Sequence, residues 1–208
     1  MENRIVAPAI GQIISESLER SMDYGEYRKL IGNLAAEGKS TGPVQNQELG
    51  DYTLLNEQRM KRLDKTIKID AVSGSKIMGF DKKVTWLVLT ESWCGDAAQT
   101  LPVINKVAGL NDKITLRLAL RDENIELMER FLSNGAMAIP KLIAIDDANG
   151  ELIGEWGSRP TVATKMVQDQ KNRYGELTAE FKQDLQLWYN KDKGQNTVKD
   201  LLSLLGIE

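Results

Sequence analysis

The sequence predicts an α/β protein with a mixed four-stranded sheet flanked by helices and extra N- and C-terminal helices. Three observations carry this. Short apolar, β-branched runs alternate with helix-period segments from residue 84 onward. The last two runs are separated by Ala148-Asn149-Gly150, a hairpin signal. On both sides of this region, apolar residues recur at helical spacing.

Along the chain, residues 10–36 read as helical through Ile13, Ile14, Leu18, Leu30, Ile31 and Leu34, with Gly25 as the point of division. The segment EGKSTGPVQNQELG is a linker by its Gly, Ser, Thr and Pro content. Residues 51–67 form a further helix with Leu55, Met60 and Leu63 on its apolar side. Its basic residues Arg59, Lys61, Arg62 and Lys65 alternate with Glu57 and Asp64, the pattern of a solvated helix face and not of a nucleic-acid patch. VSGSK, residues 72–76, is expected to turn the chain.

TWLVLTE is a buried strand, residues 95–109 a helix, and ITLRLAL a second strand. RDENIELMERFL places acids in the first turn of a helix with Ile125, Leu127, Met128, Phe131 and Leu132 on its inner side. KLIAIDD and ELIGEWG are the hairpin, and Ser158-Arg159-Pro160 opens the next helix. The order is therefore β-α-β-α-β-β-α, in which the first two strands, joined through a helix, are parallel. Beyond it, Tyr174, Leu177, Phe181, Leu185 and Trp188 form one apolar stripe, and Val198, Leu201, Leu202 and Leu205 another. The helices before 70 and after 160 are expected to pack around the sheet.

Composition narrows the chemistry. The chain has 208 residues, 41% hydrophobic and 27% charged, with a formal net charge of -3, ordinary for a globular protein and no invitation to a polyanion. Neither nucleic acid nor membrane is expected as a partner. The first twenty residues lack a cationic run before a long apolar core, so neither a leader nor a membrane span is expected, and a cytoplasmic location is the default. The single cysteine, Cys94, excludes an intrachain disulfide, and the absence of histidine excludes Ser-His-Asp triads, Cys-His pairs and imidazole zinc sites. Any chemistry must use thiol, carboxylate, amine or backbone groups.

Cys94 stands where a buried strand gives way to a helix, the sheet edge at which ligands bind in open α/β folds. Unpaired N–H groups and the helix dipole favour thiolate there, whereas Asp96 and Glu91 oppose it. Gly95 leaves the approach to sulfur open, and Trp93 supplies a flat apolar neighbour. Ile139-Pro140 precedes the third strand, a position where proline requires a first residue, a bulge or a turn. A cis bond there would turn the backbone of Ile139 toward the cysteine loop.

Strand, Trp93-Cys94-Gly95, helix, strand, helix, Ile139-Pro140, hairpin and helix, with Gly157 ending the last strand, together resemble the thioredoxin superfamily. The likeness is to a bacterial thioredoxin-like branch with a helical N-terminal extension, and it spans roughly residues 55–175. It implies a thioredoxin-like fold divided as 1–50, a helical extension and linker; 51–175, the thioredoxin-like domain; and 176–208, C-terminal helices packed on the same domain. By resemblance, Cys94 is the nucleophile position and Pro140 the cis-proline opposite it, with Trp93, Gly95, Asp96, Ile139 and Pro140 forming a substrate groove.

Two departures matter. Asp96 and Ala97 replace the family's proline and resolving cysteine, and Val88 replaces the buried acid of the first strand. Both parts of the resolving machinery are absent together, which excludes dithiol reduction by one chain alone. What the resemblance still allows is monothiol exchange with protein disulfides or mixed disulfides, with release by an external low-molecular-weight thiol and no resident cofactor. The other reading is a redox-inactive module that binds a protein partner in the Pro140 groove. A cluster bridged by two copies of Cys94, as in some monothiol glutaredoxins, is a third.

Overall fold

The computed structural model describes residues 9–208. The reading of the chain's first twenty residues as free of a leader lies partly outside them. No helix among the described residues is long and apolar enough to cross a membrane.

Four strands form one sheet in the order β2-β1-β3-β4, with β1 at Val84–Thr90, β2 at Ile114–Leu120, β3 at Lys141–Asp146 and β4 at Leu152–Gly157. β1 runs parallel to β2, from Val84 opposite Ile114 to Thr90 opposite Leu120. It pairs antiparallel with β3, Leu87 opposite Ile143, and β3 pairs antiparallel with β4, Leu142 opposite Trp156. This is the mixed sheet that the β-α-β and hairpin signals predict. β1 is central, and Trp86, Leu87, Val88 and Leu89 are fully buried, which explains its continuous apolar run.

Nine α-helices surround the sheet among the described residues: α1 Ile10–Glu19, α2 Tyr24–Ala36, α3 Gln47–Thr66, α4 Ala71–Met78, α5 Gly95–Ala108, α6 Ile125–Arg130, α7 Thr161–Tyr174, α8 Ala179–Asp192 and α9 Gln195–Leu205. The break between the first two lies at residues 20–23 and not at Gly25. Met22 exchanges two 2.8 Å backbone hydrogen bonds with Leu118 of β2, so the chain becomes strand-like there and covers that sheet edge. Asp23 then starts α2 with a reciprocal capping box to Glu26.

Residues 72–76 are helical, contrary to the expected turn. The Asp70 carboxylate caps the N–H groups of Val72 and Ser73, and Ile77 is fully buried, so a cap and an anchor override Gly-Ser propensity. The segment after β2 begins as a 3-10 turn, Arg121–Glu123, before α6, with Ile125 and Leu132 exposed and Phe131 beyond the helix end. Pro160 is the N-cap of α7, whose first residue is Thr161; Ser158 and Arg159 belong to the preceding corner.

The main core joins the sheet to α1–α6 and α9, with Val198, Leu201, Leu202 and Leu205 buried in it as their stripe predicts. α7 and α8 instead share a small cluster of their own, Ala163, Val167, Leu185 and Tyr189, flanked by Phe181 and Trp188. Tyr174, expected in that stripe, is 61% exposed because α7 ends there at Gly175.

α3 approaches the end of α2 so closely that a Cβ on Gly50 would collide with the Gly38 carbonyl. Gly50→Ala is therefore expected to lower stability by about 1–3 kcal/mol in urea unfolding, the range for overpacking, whereas alanine at Gly32, which meets no neighbour, should not destabilise.

Candidate functional site

The strand β1 delivers Glu91, Ser92, Trp93 and Cys94 to the sheet edge, and α5 begins at the next residue. Polar groups from α3 and from the segment before it lock this loop. The Thr41 and Ser92 backbone N–H groups each donate to the other's side-chain oxygen, at 2.9 and 2.8 Å. Thr53 Oγ1 lies 2.8 Å from Ser92 Oγ, and Asn56 Nδ2 donates to the Ser92 carbonyl at 2.8 Å. Glu91, wholly buried, accepts from Thr41 Oγ1 and from the Asp122 N–H at 2.9 Å. Burial is the main cause that raises its carboxyl above the ordinary range.

Cys94 is the N-cap of α5. Its sulfur accepts the Ala97 N–H at 3.4 Å and lies 3.3 Å from the Ile139 carbonyl oxygen, to which only a protonated thiol can donate. A thiolate would face that oxygen's negative end. The residue is 8% exposed, and burial, followed by the Asp96 charge, pushes the thiol up to about 12. The N–H groups of Ala97 and Asp96, and the Arg159 guanidinium, pull the other way but do not win. Of the opposing influences that the sequence leaves unresolved, desolvation outweighs the helix N-terminus.

Asp96 is the pivot. Its Oδ2 pairs with Arg159 Nη2 at 2.6 Å and its Oδ1 accepts from Tyr189 OH at 3.0 Å. Its side chain is only 13% exposed, and burial raises its pKa despite both partners. Arg159 comes from the β4–α7 corner and Tyr189 from α8, so the C-terminal helices close directly on the cysteine loop. Arg159 also lines the groove beside Asp96.

Trp93, Cys94, Gly95, Asp96 and Ile139 line one open groove of ≈ 370 Å³. Pro140 is buried behind it and is not part of the lining. The Ile139-Pro140 bond is cis, and Gly157, at φ +125°, lies against the Pro140 carbonyl where any Cβ would collide. Residues the sequence did not single out complete the walls: Tyr52 of α3, Arg121, Met137, Ala138 and Ser158. Arg121 stacks over Trp93, 4.9 Å from the ring centroid, and pairs with Asp122 at 2.7 Å. Only long-range packing brings these positions together. Among the described residues no group of three or more His, Cys, Asp or Glu side chains is arranged to hold a metal.

A family model described as thioredoxin matches residues 42–172, well over half of the chain. The chain belongs to the thioredoxin family. A solved protein of unknown function from Pseudomonas aeruginosa has the same fold, with a TM-score of 0.64 at 14% identity over 92% of this chain and 96% of that one. An HIV epitope scaffold gives a TM-score of 0.62 at 15% identity, with the same shares covered. Both likenesses concern fold alone. No curated protein matches in sequence.

Two outcomes are expected. Asp96→Asn removes a charge that raises the thiol and leaves Arg159 unpaired beside it, so Cys94 should be alkylated by iodoacetamide several-fold faster than wild type at pH 8, about tenfold for each unit by which the pKa falls. For Glu91, a folded pKa above the unfolded value means that its contribution is full below the ordinary carboxyl range and is lost as pH rises through the folded pKa. The Glu91→Gln variant should accordingly lose less stability than wild type between pH 5 and 8 in urea titrations.

Proposed function

We propose that this thioredoxin-family chain is a protein-binding module that seats a partner segment in the groove beside Ile139 and Pro140, with Cys94 held as a thiol. The observation that carries the reading is the contact between Cys94 sulfur and the Ile139 carbonyl, which uses the thiol proton inside the fold. The walls suit an extended segment: Trp93, Tyr52 and Met137 give apolar area, and Arg121 and Arg159 give donors at the rim. Trp93 and Ile139 are central to this groove, Gly95 and Asp96 form its helix end, and Pro140 supports it from behind.

A second reading is favoured by the Ala97 N–H on sulfur and by the opening of Cys94 to the groove: monothiol exchange. Cys94 thiolate would attack a protein disulfide or mixed disulfide, forming one S–S bond as another breaks and releasing the leaving thiolate. An external low-molecular-weight thiol would then attack the mixed disulfide and return Cys94. No resident cofactor enters either reading. A reducing bacterial cytoplasm is the setting we assign, since a lone thiol persists there.

Cys94→Ser separates the two. A serine hydroxyl still donates to the Ile139 carbonyl and accepts from the Ala97 N–H, so the fold is expected to hold. Proteins that copurify with wild type should be retained by Cys94→Ser and lost with Ala138→Trp, which fills the groove. Challenge with an oxidised low-molecular-weight disulfide at pH 7 should leave the intact mass unchanged. Loss of all partners in Cys94→Ser, together with a stoichiometric mixed-disulfide adduct on wild type, would establish the exchange reading instead.

A further inference from the structure

Residues of α3, α5 and α8 line a second, open cavity of ≈ 330 Å³. Its charged lining consists of two guanidinium groups, Arg59 and Arg62, with no carboxylate. The remaining polar lining is amide: Gln58, Gln99, Gln186 and Asn190. Neither arginine takes part in an ion pair among the described residues. Each makes one side-chain hydrogen bond there, Arg59 Nη1 to Asn56 Oδ1 at 3.1 Å and Arg62 Nη2 to Asn190 Oδ1 at 2.7 Å.

A guanidinium has five N–H donors, so most of this donor set faces the cavity or solvent unused by the protein. Arg59 is half-buried, which the solvated-face reading of its helix did not anticipate. Burial, followed by the neighbouring Arg62 charge, disfavours its protonated form and outweighs the opposing influence of Tyr52 and of the Asp96 carboxylate, which is itself engaged by Arg159 and Tyr189. Two like charges converging on one pocket, one of them partly desolvated, are stabilised by an anion between them. Gln99 Nε2 donates to Gln186 Oε1 at 2.8 Å, which fixes two of the amides across the cavity from α5 to α8.

We infer that this cavity binds the phosphate group of a small polar phosphomonoester between Arg59 and Arg62. A dianion matches the two positive charges, and guanidinium forks match phosphate oxygens. The cavity exceeds the size of a phosphate alone and falls at the small end of ligand sites, leaving the amide-lined part for a short hydroxylated body. The site is independent of whether Cys94 reacts. It neighbours the groove through Arg59, whose Nη1 would lie 3.5 Å from a Cβ placed on Gly95.

The test uses the full chain at constant ionic strength. Inorganic phosphate, glycerol 3-phosphate, succinate and chloride are titrated while amide NMR shifts and thermal unfolding are followed. Phosphate and glycerol 3-phosphate should each give saturable shifts centred on Gly95 and the Gln99 and Gln186 side-chain amides, with a rise in Tm. Glycerol 3-phosphate should bind at least as tightly as phosphate. Arg62→Gln, an exposed change that spares the fold, should weaken both at least tenfold, and Arg59→Gln should do the same. The inference is overturned by a response to phosphate no different from chloride, by shifts centred elsewhere, or by affinity unchanged in Arg62→Gln. It is equally overturned if succinate binds as tightly as phosphate, or if glycerol 3-phosphate binds more weakly than phosphate.

Discussion

The buried Asp96 carboxylate is the interaction on which the functional end of the molecule depends. A carboxylate this little exposed is costly to desolvate and persists as an anion only with compensating donors. Arg159 and Tyr189 supply them, and they come from the β4–α7 corner and from α8. The first turn of α5, the end of the sheet and the C-terminal helices are thereby fixed to one another around the sulfur. The same charge is the second cause, after burial, that keeps Cys94 protonated. One residue thus links the appended helices to the state of the only thiol.

The N-terminal helices act on the same loop from the other side. Thr41, Thr53 and Asn56 satisfy the polar groups of Ser92, and Tyr27 OH lies 3.2 Å from Thr90 Oγ1 within the core. Each of these groups is buried, so each bond also removes the penalty of an unpaired polar atom. The outcome is a cysteine loop held by α2, α3 and the linker between them, not a mobile loop at the tip of a bare domain. A groove fixed in this way suits recognition of a segment whose own conformation supplies the flexibility.

Much of the fold was legible because its signals are local. The switch from apolar strand runs to helical spacing located β1, α5 and β2, and Ala148-Asn149-Gly150 located the hairpin, where Gly150 takes φ +73°. Local propensity misled at residues 72–76, where the Asp70 cap and Ile77 burial decide. It also misled at Gly25, because the helix break belongs to the Met22–Leu118 bridge, a pairing across almost a hundred residues. The site was half legible for the same reason. Trp93, Cys94, Gly95 and Asp96 are contiguous and Ile139 was marked by its proline, whereas Tyr52, Arg121 and Tyr189 arrive from distant segments that carry no motif. The protonation of Cys94 could not be read at all: helix terminus and acid oppose each other in the sequence, and only burial tips the sum.

The most direct test of this account is the thiolate absorbance of the wild-type protein at 240 nm, followed from pH 5 to 11 with Cys94→Ser as the blank. A thiol that donates to the Ile139 carbonyl should show no thiolate step below pH 9. A step centred near or below pH 7 would contradict the account and return Cys94 to the role of a nucleophile.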